Sequence, residues 1–142
     1  MRLLVAFMYC SFVFILTCTQ SITKLAVEGR PSFQWNPDPD FLSFLDFHSY
    51  PFYSQAYLTQ KSGHAIAFFF LAFVIHLAVR KASIGFILSV AFGLFTEIAQ
   101  LYFSRTGCLL DVGYDVVGIT FYFLFYCINQ KIMVGSSMAQ NG

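Results

Sequence analysis

The sequence predicts an all-α, polytopic membrane protein: four transmembrane helices, with a long aromatic-rich outer loop between the first two. Three observations lead there. Only 11% of the 142 residues are charged while 58% are hydrophobic, against about 25% charged in a typical soluble domain, so there is too little polar surface for a water-facing exterior. The apolar residues fall into four runs separated by polar or Pro-containing breaks. None of the runs shows the period-2 alternation that marks barrel strands.

The first run, Leu3 to Leu16, fades through Thr17 to Ile22 and gives a first transmembrane helix over 1–23. Arg2, the apolar stretch and its polar end also fit a signal peptide or signal anchor, but no A-x-A site follows, so the run is read as retained. The second run, His64 to Val79, is short; Lys61 and Arg80 can snorkel at its two ends. The third, Ala82 to Phe103, is long enough for the roughly 17–25 residues that a span requires. The fourth, Val112 to Ile128, also fits. Together these three make a core over 61–130. Residues 131–142, Gly- and Ser-containing towards their end, read as a disordered cytoplasmic tail.

Between the first and second runs, 24–60 forms an extracytoplasmic loop. Pro31, Pro37, Pro39 and Pro51 break regular structure, and Asn36 to Pro39 read as a turn. Phe33, Trp35, Phe41, Phe44, Phe47, Tyr50, Phe52, Tyr53 and Tyr57 make it too aromatic for a solvated linker. An interfacial aromatic belt is the preferred reading; a lid over the outer end of the bundle is the alternative.

Basic residues in short loops set orientation. Arg2, the Arg80–Lys81 pair and Lys131 alternate onto one side, which is therefore assigned as cytoplasmic. This predicts a multi-pass protein of the cell membrane with both termini inside. The net charge of +1 offers no footprint for nucleic acid. Of the four cysteines, Cys10, Cys18 and Cys127 sit in apolar runs and read as small hydrophobes, and Cys108 reads as an unpaired bystander in the outer loop.

On this topology the polar residues gather at the outer end. Lys61 and His64 open the second span, Glu97 and Gln100 close the third before Arg105, and Asp111 and Asp115 open the fourth. Glu97 and Gln100, at i and i+3, share a helix face. Asp111, Asp115 and Gly118 follow one stripe. Gly85, Ser89 and Gly93 recur every four residues and lead to Glu97, and small residues at that spacing let helices approach closely. The Glu97 face is thus expected to be packed, with the carboxylate roughly 9 Å below the outer boundary at ~1.5 Å per residue. A charge at mid-membrane costs on the order of 2.5–3.5 kcal/mol, so such residues are functional candidates. The structural alternative is that Glu97–Arg105 and Asp111–Lys61 are ion pairs that only knit helix ends together. His76, near Arg80, reads as interfacial.

Lys61-x-x-His64, Glu97-x-x-Gln100, Arg105 and Asp111 with Gly118 resemble the VanZ-like family of small bacterial membrane proteins. The resemblance covers about Lys61 to Phe125; the first helix matches in hydropathy alone. One position departs from it: Asp115 stands where the family usually has Asn. The resemblance implies shared polar positions at Lys61, His64, Glu97, Gln100, Arg105 and Asp111, and a link to glycopeptide (teicoplanin) resistance, but no defined reaction.

Three functions compete. In the leading one, a non-enzymatic envelope protein uses Lys61, His64, Glu97, Gln100, Arg105, Asp111 and Asp115 as an outer-leaflet cluster that binds the headgroup of a membrane lipid or cell-wall precursor, with no cofactor. The second is a membrane-embedded enzyme using His64 and Glu97 as an acid–base pair, or a metal held by His64, Glu97, Asp111 and Asp115, although no HExxH-type signature is present. The third, a proton-coupled carrier, would need an oligomer.

Overall fold

In the computed structural model, which describes residues 1–46 and 52–140, the chain is all-helical, with no strand among the described residues. Phe47, Tyr50 and Pro51 of the expected aromatic loop lie outside the described residues. Helix α1 spans Arg2–Cys18 (17 residues), the short α2 Ile22–Glu28, α3 Gln55–Val79 (25 residues), α4 Ala82–Tyr102 (21 residues) and α5 Leu109–Gln140 (32 residues). Three of these helices, α3, α4 and α5 to Met133, are long and apolar enough to cross a membrane. At ~1.5 Å per residue α1 is ~26 Å long, just under the ~30 Å hydrocarbon thickness.

Local chemistry explains the boundaries. Ser21 caps α2, its Oγ accepting from the Lys24 backbone N–H at 3.2 Å, and Gly29 ends it at φ +65° in the left-handed region open to glycine. Arg80 also turns left-handed (φ 58°), donating its N–H to the His76 carbonyl at 2.8 Å. Lys81 is extended, and α4 begins at the next residue. The Arg–Lys turn expected between the second and third runs is therefore as tight as a helical hairpin allows.

Two expected boundaries move. The helix of the second run starts at Gln55 rather than near Lys61, because the polar turn Gln55–Gln60 has neither Pro nor Gly to stop it. Residues 24–28 and 55–60 of the expected loop are thus helical. Likewise α5 continues to Gln140, through most of the segment read as a disordered tail; Gly135 costs helix propensity, but no Pro breaks the run.

Large apolar side chains cover much of the helix surface, and several polar ones lie inside. Ile66, Phe70, Ile87, Phe95, Phe121 and Phe125 are among the large exposed hydrophobics, whereas Ser89, Thr96, Glu97 and Asp115 are fully buried. That inversion suits a hydrocarbon surrounding. The core joins Phe68, Leu71, Ala72 and Ile75 of α3 to Ile119, Tyr122 and Phe123 of α5, with Val13 of α1. At Gly118 an added Cβ would overlap the Ala65 carbonyl, so the glycine is what lets α3 and α5 meet backbone to backbone. On α4, Gly85, Ser89, Gly93 and Glu97 are all buried, the packed stripe that their spacing predicts.

His76, in the last turn of α3, faces the bundle interior. It is buried, with Nδ1 2.7 Å from the Tyr122 hydroxyl and its ring edge-on to Tyr126. A helix residue one turn from Arg80 still faces inward when its register matches Ala72 and Phe68, and a tyrosine across the interface satisfies it.

Segment 32–41 crosses the end of α4. Asn36 donates its N–H to the Tyr102 carbonyl at 2.8 Å, Trp35 stacks on Tyr102, and Phe33 tilts against Phe103.

Candidate functional site

Three helices deliver polar side chains to one level of the bundle. On α3, Tyr57, Lys61 and His64 follow i, i+4, i+7 and so share one face with Phe68. On α4, Glu97 and Gln100 prolong the small-residue stripe. On α5, Asp111 and Asp115 lie one turn apart on the buried side.

Lys61 Nζ lies 2.6 and 2.7 Å from the two oxygens of Asp111, both side chains almost completely buried, and 4.9 Å from the centroid of the Tyr57 ring, as in a cation–π contact. His64 Nδ1 is 3.1 Å from Asp115 Oδ1 and 3.9 Å from Glu97 Oε1. Glu97 Oε1 accepts from Gln100 Nε2 at 2.6 Å, and Oε2 accepts from the Cys108 backbone N–H at 3.1 Å.

The last of these bonds depends on the loop after α4. Ser104 is left-handed (φ 51°), Phe103 and Arg105 both donate to the Gln100 carbonyl, and a Cβ at Gly107 would overlap the Glu97 carbonyl. The chain therefore folds back tightly enough to place Cys108, itself fully buried, over the end of Glu97. Cys108 is no bystander: its Sγ accepts from the Leu110 N–H at 3.3 Å at the start of α5. Side-chain patterns miss it because its contribution to Glu97 comes from the backbone.

Six of the seven sequence-derived candidates thus converge: Lys61, His64, Glu97, Gln100, Asp111 and Asp115. The pairing differs in two respects from expectation. Glu97 is not bridged to Arg105; that side chain leaves the cluster and donates from Nη1 to the Gln20 carbonyl at 3.0 Å, tying the end of α1 to the loop. The hydrogen-bond partner of His64 is Asp115 rather than Glu97, whose two oxygens are both engaged elsewhere. Asp115 is therefore the carboxylate that orients the imidazole.

Beside the cluster lies a cavity of about 600 Å³ between α1 and the first half of α3, a size typical of small-molecule sites. Val13, Leu16, Ala67 and Phe68 make its apolar wall, and His64 and Arg105 both reach it. Arg105 Nε is buried without a hydrogen-bond partner among the described residues.

By sequence this chain is similar to the uncharacterized membrane protein YwnJ of Bacillus subtilis (strain 168), with 35% identity over 123 residues, covering 84% of this chain and 86% of that protein. No protein-family pattern and no solved structure matches the chain. At that identity and coverage the two are relatives: the chain belongs to the YwnJ family and is a membrane protein.

Proposed function

We propose that this member of the YwnJ family is a four-span protein of the cell membrane, both termini cytoplasmic, that binds the anionic headgroup of an amphiphile at the outer leaflet. A membrane lipid and a cell-wall precursor share the chemistry required: a phosphate next to acyl or prenyl chains. The observation that carries this reading is the cavity, where an apolar wall from α1 and α3 ends at Arg105 and His64. Chains would lie along Val13, Leu16 and Phe68, and the phosphate would meet the guanidinium, whose buried Nε still lacks an acceptor among the described residues. Arg is suited to such a contact by its fork of charge-assisted donors.

Lys61 is not part of the headgroup contact in this reading, since Asp111 occupies it. Lys61, Asp111 and Gln100 instead hold the helix ends that carry His64 and Glu97. The VanZ-like resemblance and the link to glycopeptide resistance belong to the same proposal: a protein that sequesters or presents an envelope lipid could alter glycopeptide susceptibility without catalysing a reaction.

The test is lipid retention by detergent-purified protein. Arg105→Gln is expected to lower co-purifying anionic lipid while the protein stays monodisperse, and Leu16→Trp, which fills the cavity, is expected to lower it without touching the charge. Unchanged lipid in both variants would refute the reading.

A further inference from the structure

We propose that His64, Glu97 and Asp115 form a binding site for one divalent first-row metal ion. One ligand atom from each of these residues, contributed by three different helices, lies within 4.8 Å of the other two. The measured edges are 3.1 Å from His64 Nδ1 to Asp115 Oδ1 and 3.9 Å to Glu97 Oε1. Ligands ~2.0–2.1 Å from a tetrahedral zinc stand roughly 3.3 Å apart, so the trio needs only small side-chain adjustments to close on an ion.

Two further observations point to a cation. Asp115 is fully buried, yet its Oδ2 has no hydrogen-bond partner among the described residues. This oxygen faces α4 one turn from Glu97, where a Cβ at Gly93 would come within 3.4 Å of it. A buried carboxylate oxygen without a donor is costly, and a cation bound to this carboxylate, whose Oδ1 forms the measured edge to His64, would offset that cost. The second observation is charge. Lys61 is used by Asp111, and Arg105 reaches the Gln20 carbonyl instead. Among the described residues, His64 is the one basic side chain within ion-pair distance of either Glu97 or Asp115. Two buried carboxylates therefore share a single imidazole, and a dication would neutralise both.

The surroundings of Glu97 match what a ligating carboxylate requires. Gln100 Nε2 and the Cys108 N–H hold its two oxygens in place, as outer-shell donors orient metal ligands. One imidazole with two carboxylates and no thiolate favours Zn²⁺ or Mn²⁺ over a soft ion, and three protein ligands leave a zinc position open to a further ligand. The site shares His64 with the cavity but uses neither Arg105 nor the α1 wall, so metal retention and lipid retention can be tested apart.

The experiment uses the full-length chain, purified in detergent through a tag without histidine and stripped with a chelator. Zn²⁺ and Mn²⁺ are then added separately, and retained metal is measured by elemental analysis after dialysis. About one ion per chain is expected for one of the two metals. Asp115→Asn and His64→Gln should each weaken retention by at least the roughly 10–100-fold that loss of an outer-shell partner costs, with Cys127→Ser as an unaffected control. Wild-type protein that retains neither metal, or a folded Asp115→Asn variant that retains as much as wild type, would overturn the proposal. Should both variants fail to fold, the wild type decides: retention of about one ion with a raised unfolding temperature supports the site, and absence of both overturns it. Either failure leaves the lipid-retention test of Arg105 standing on its own.

Discussion

Lys61 and Asp111, fifty positions apart in sequence, meet as a buried ion pair with Nζ 2.6 Å from Oδ1. The pair clamps the start of α5 to the second turn of α3 and so fixes the level at which His64 and Asp115 face each other. Removing one partner strands a buried charge at a cost of about 3–5 kcal/mol, whereas replacing both with apolar residues of similar volume is often neutral. Lys61→Met is therefore expected to lower the thermal unfolding temperature in detergent sharply, and the double variant Lys61→Met/Asp111→Leu to recover most of the loss. A double-mutant cycle with no coupling would show that the pair does not act as a clamp.

Glycine substitutions should sort by what a Cβ would meet. At Gly118 it overlaps the Ala65 carbonyl, so Gly118→Ala must push α3 from α5, at about 1–3 kcal/mol. Gly113 has open space around it, and Gly113→Ala in the same helix should be neutral or stabilising by up to about 1 kcal/mol. Unfolding temperatures of the two variants in one detergent check the contrast; equal losses would contradict the close approach.

His76 and Tyr122 form a polar contact that belongs to the core. Tyr122→Phe leaves a buried imidazole without its partner and should cost about 1–3 kcal/mol. Lipid retention should be unchanged, because the pair lies at the opposite end of α3 from His64. A variant that folds as well as wild type would show that His76 does not need the hydroxyl.

Cysteine chemistry reads out topology, although not at Cys108, which is fully buried. An impermeant thiol reagent is expected to leave Cys108 unmodified in folded protein. Ser104→Cys, at an exposed position in the same loop, should be labelled in intact cells if that loop is external. Labelling only after lysis would reverse the proposed orientation.

Much of this arrangement is legible in the sequence because the membrane makes simple demands. Apolar runs mark the helices, and the Gly85–Ser89–Gly93–Glu97 spacing identifies the buried face of α4, since only small residues admit a neighbouring backbone. The convergence of His64, Glu97 and Asp115 follows from placing three helix ends on one side. What escapes is whatever depends on the path of a loop. Arg105 looks like the natural partner of Glu97, but the turn through Ser104 and Gly107 sends the guanidinium to Gln20 and brings the Cys108 amide to Glu97 instead. Helix ends beyond the apolar runs, at Gln55 and Gln140, carry no hydropathy signal, and the seven-residue α2 is too short to show periodicity. The contact of His76 with Tyr122 carries no signal either, because register decides which way a residue near Arg80 faces.

The proposed headgroup site turns on Arg105, at the end of the α1–α3 cavity. The most direct measurement is headgroup selectivity by native mass spectrometry, with wild type and Arg105→Gln each presented with equal phosphatidylglycerol and phosphatidylcholine. A hydrogen bond to a charged group contributes about 1.5–3 kcal/mol, and every 1.4 kcal/mol is a factor of about ten. Wild type should therefore retain the anionic lipid at least about tenfold over the zwitterionic one, and Arg105→Gln should lose that preference while remaining folded. Equal retention of the two lipids by wild type, or an undiminished preference in Arg105→Gln, would contradict it.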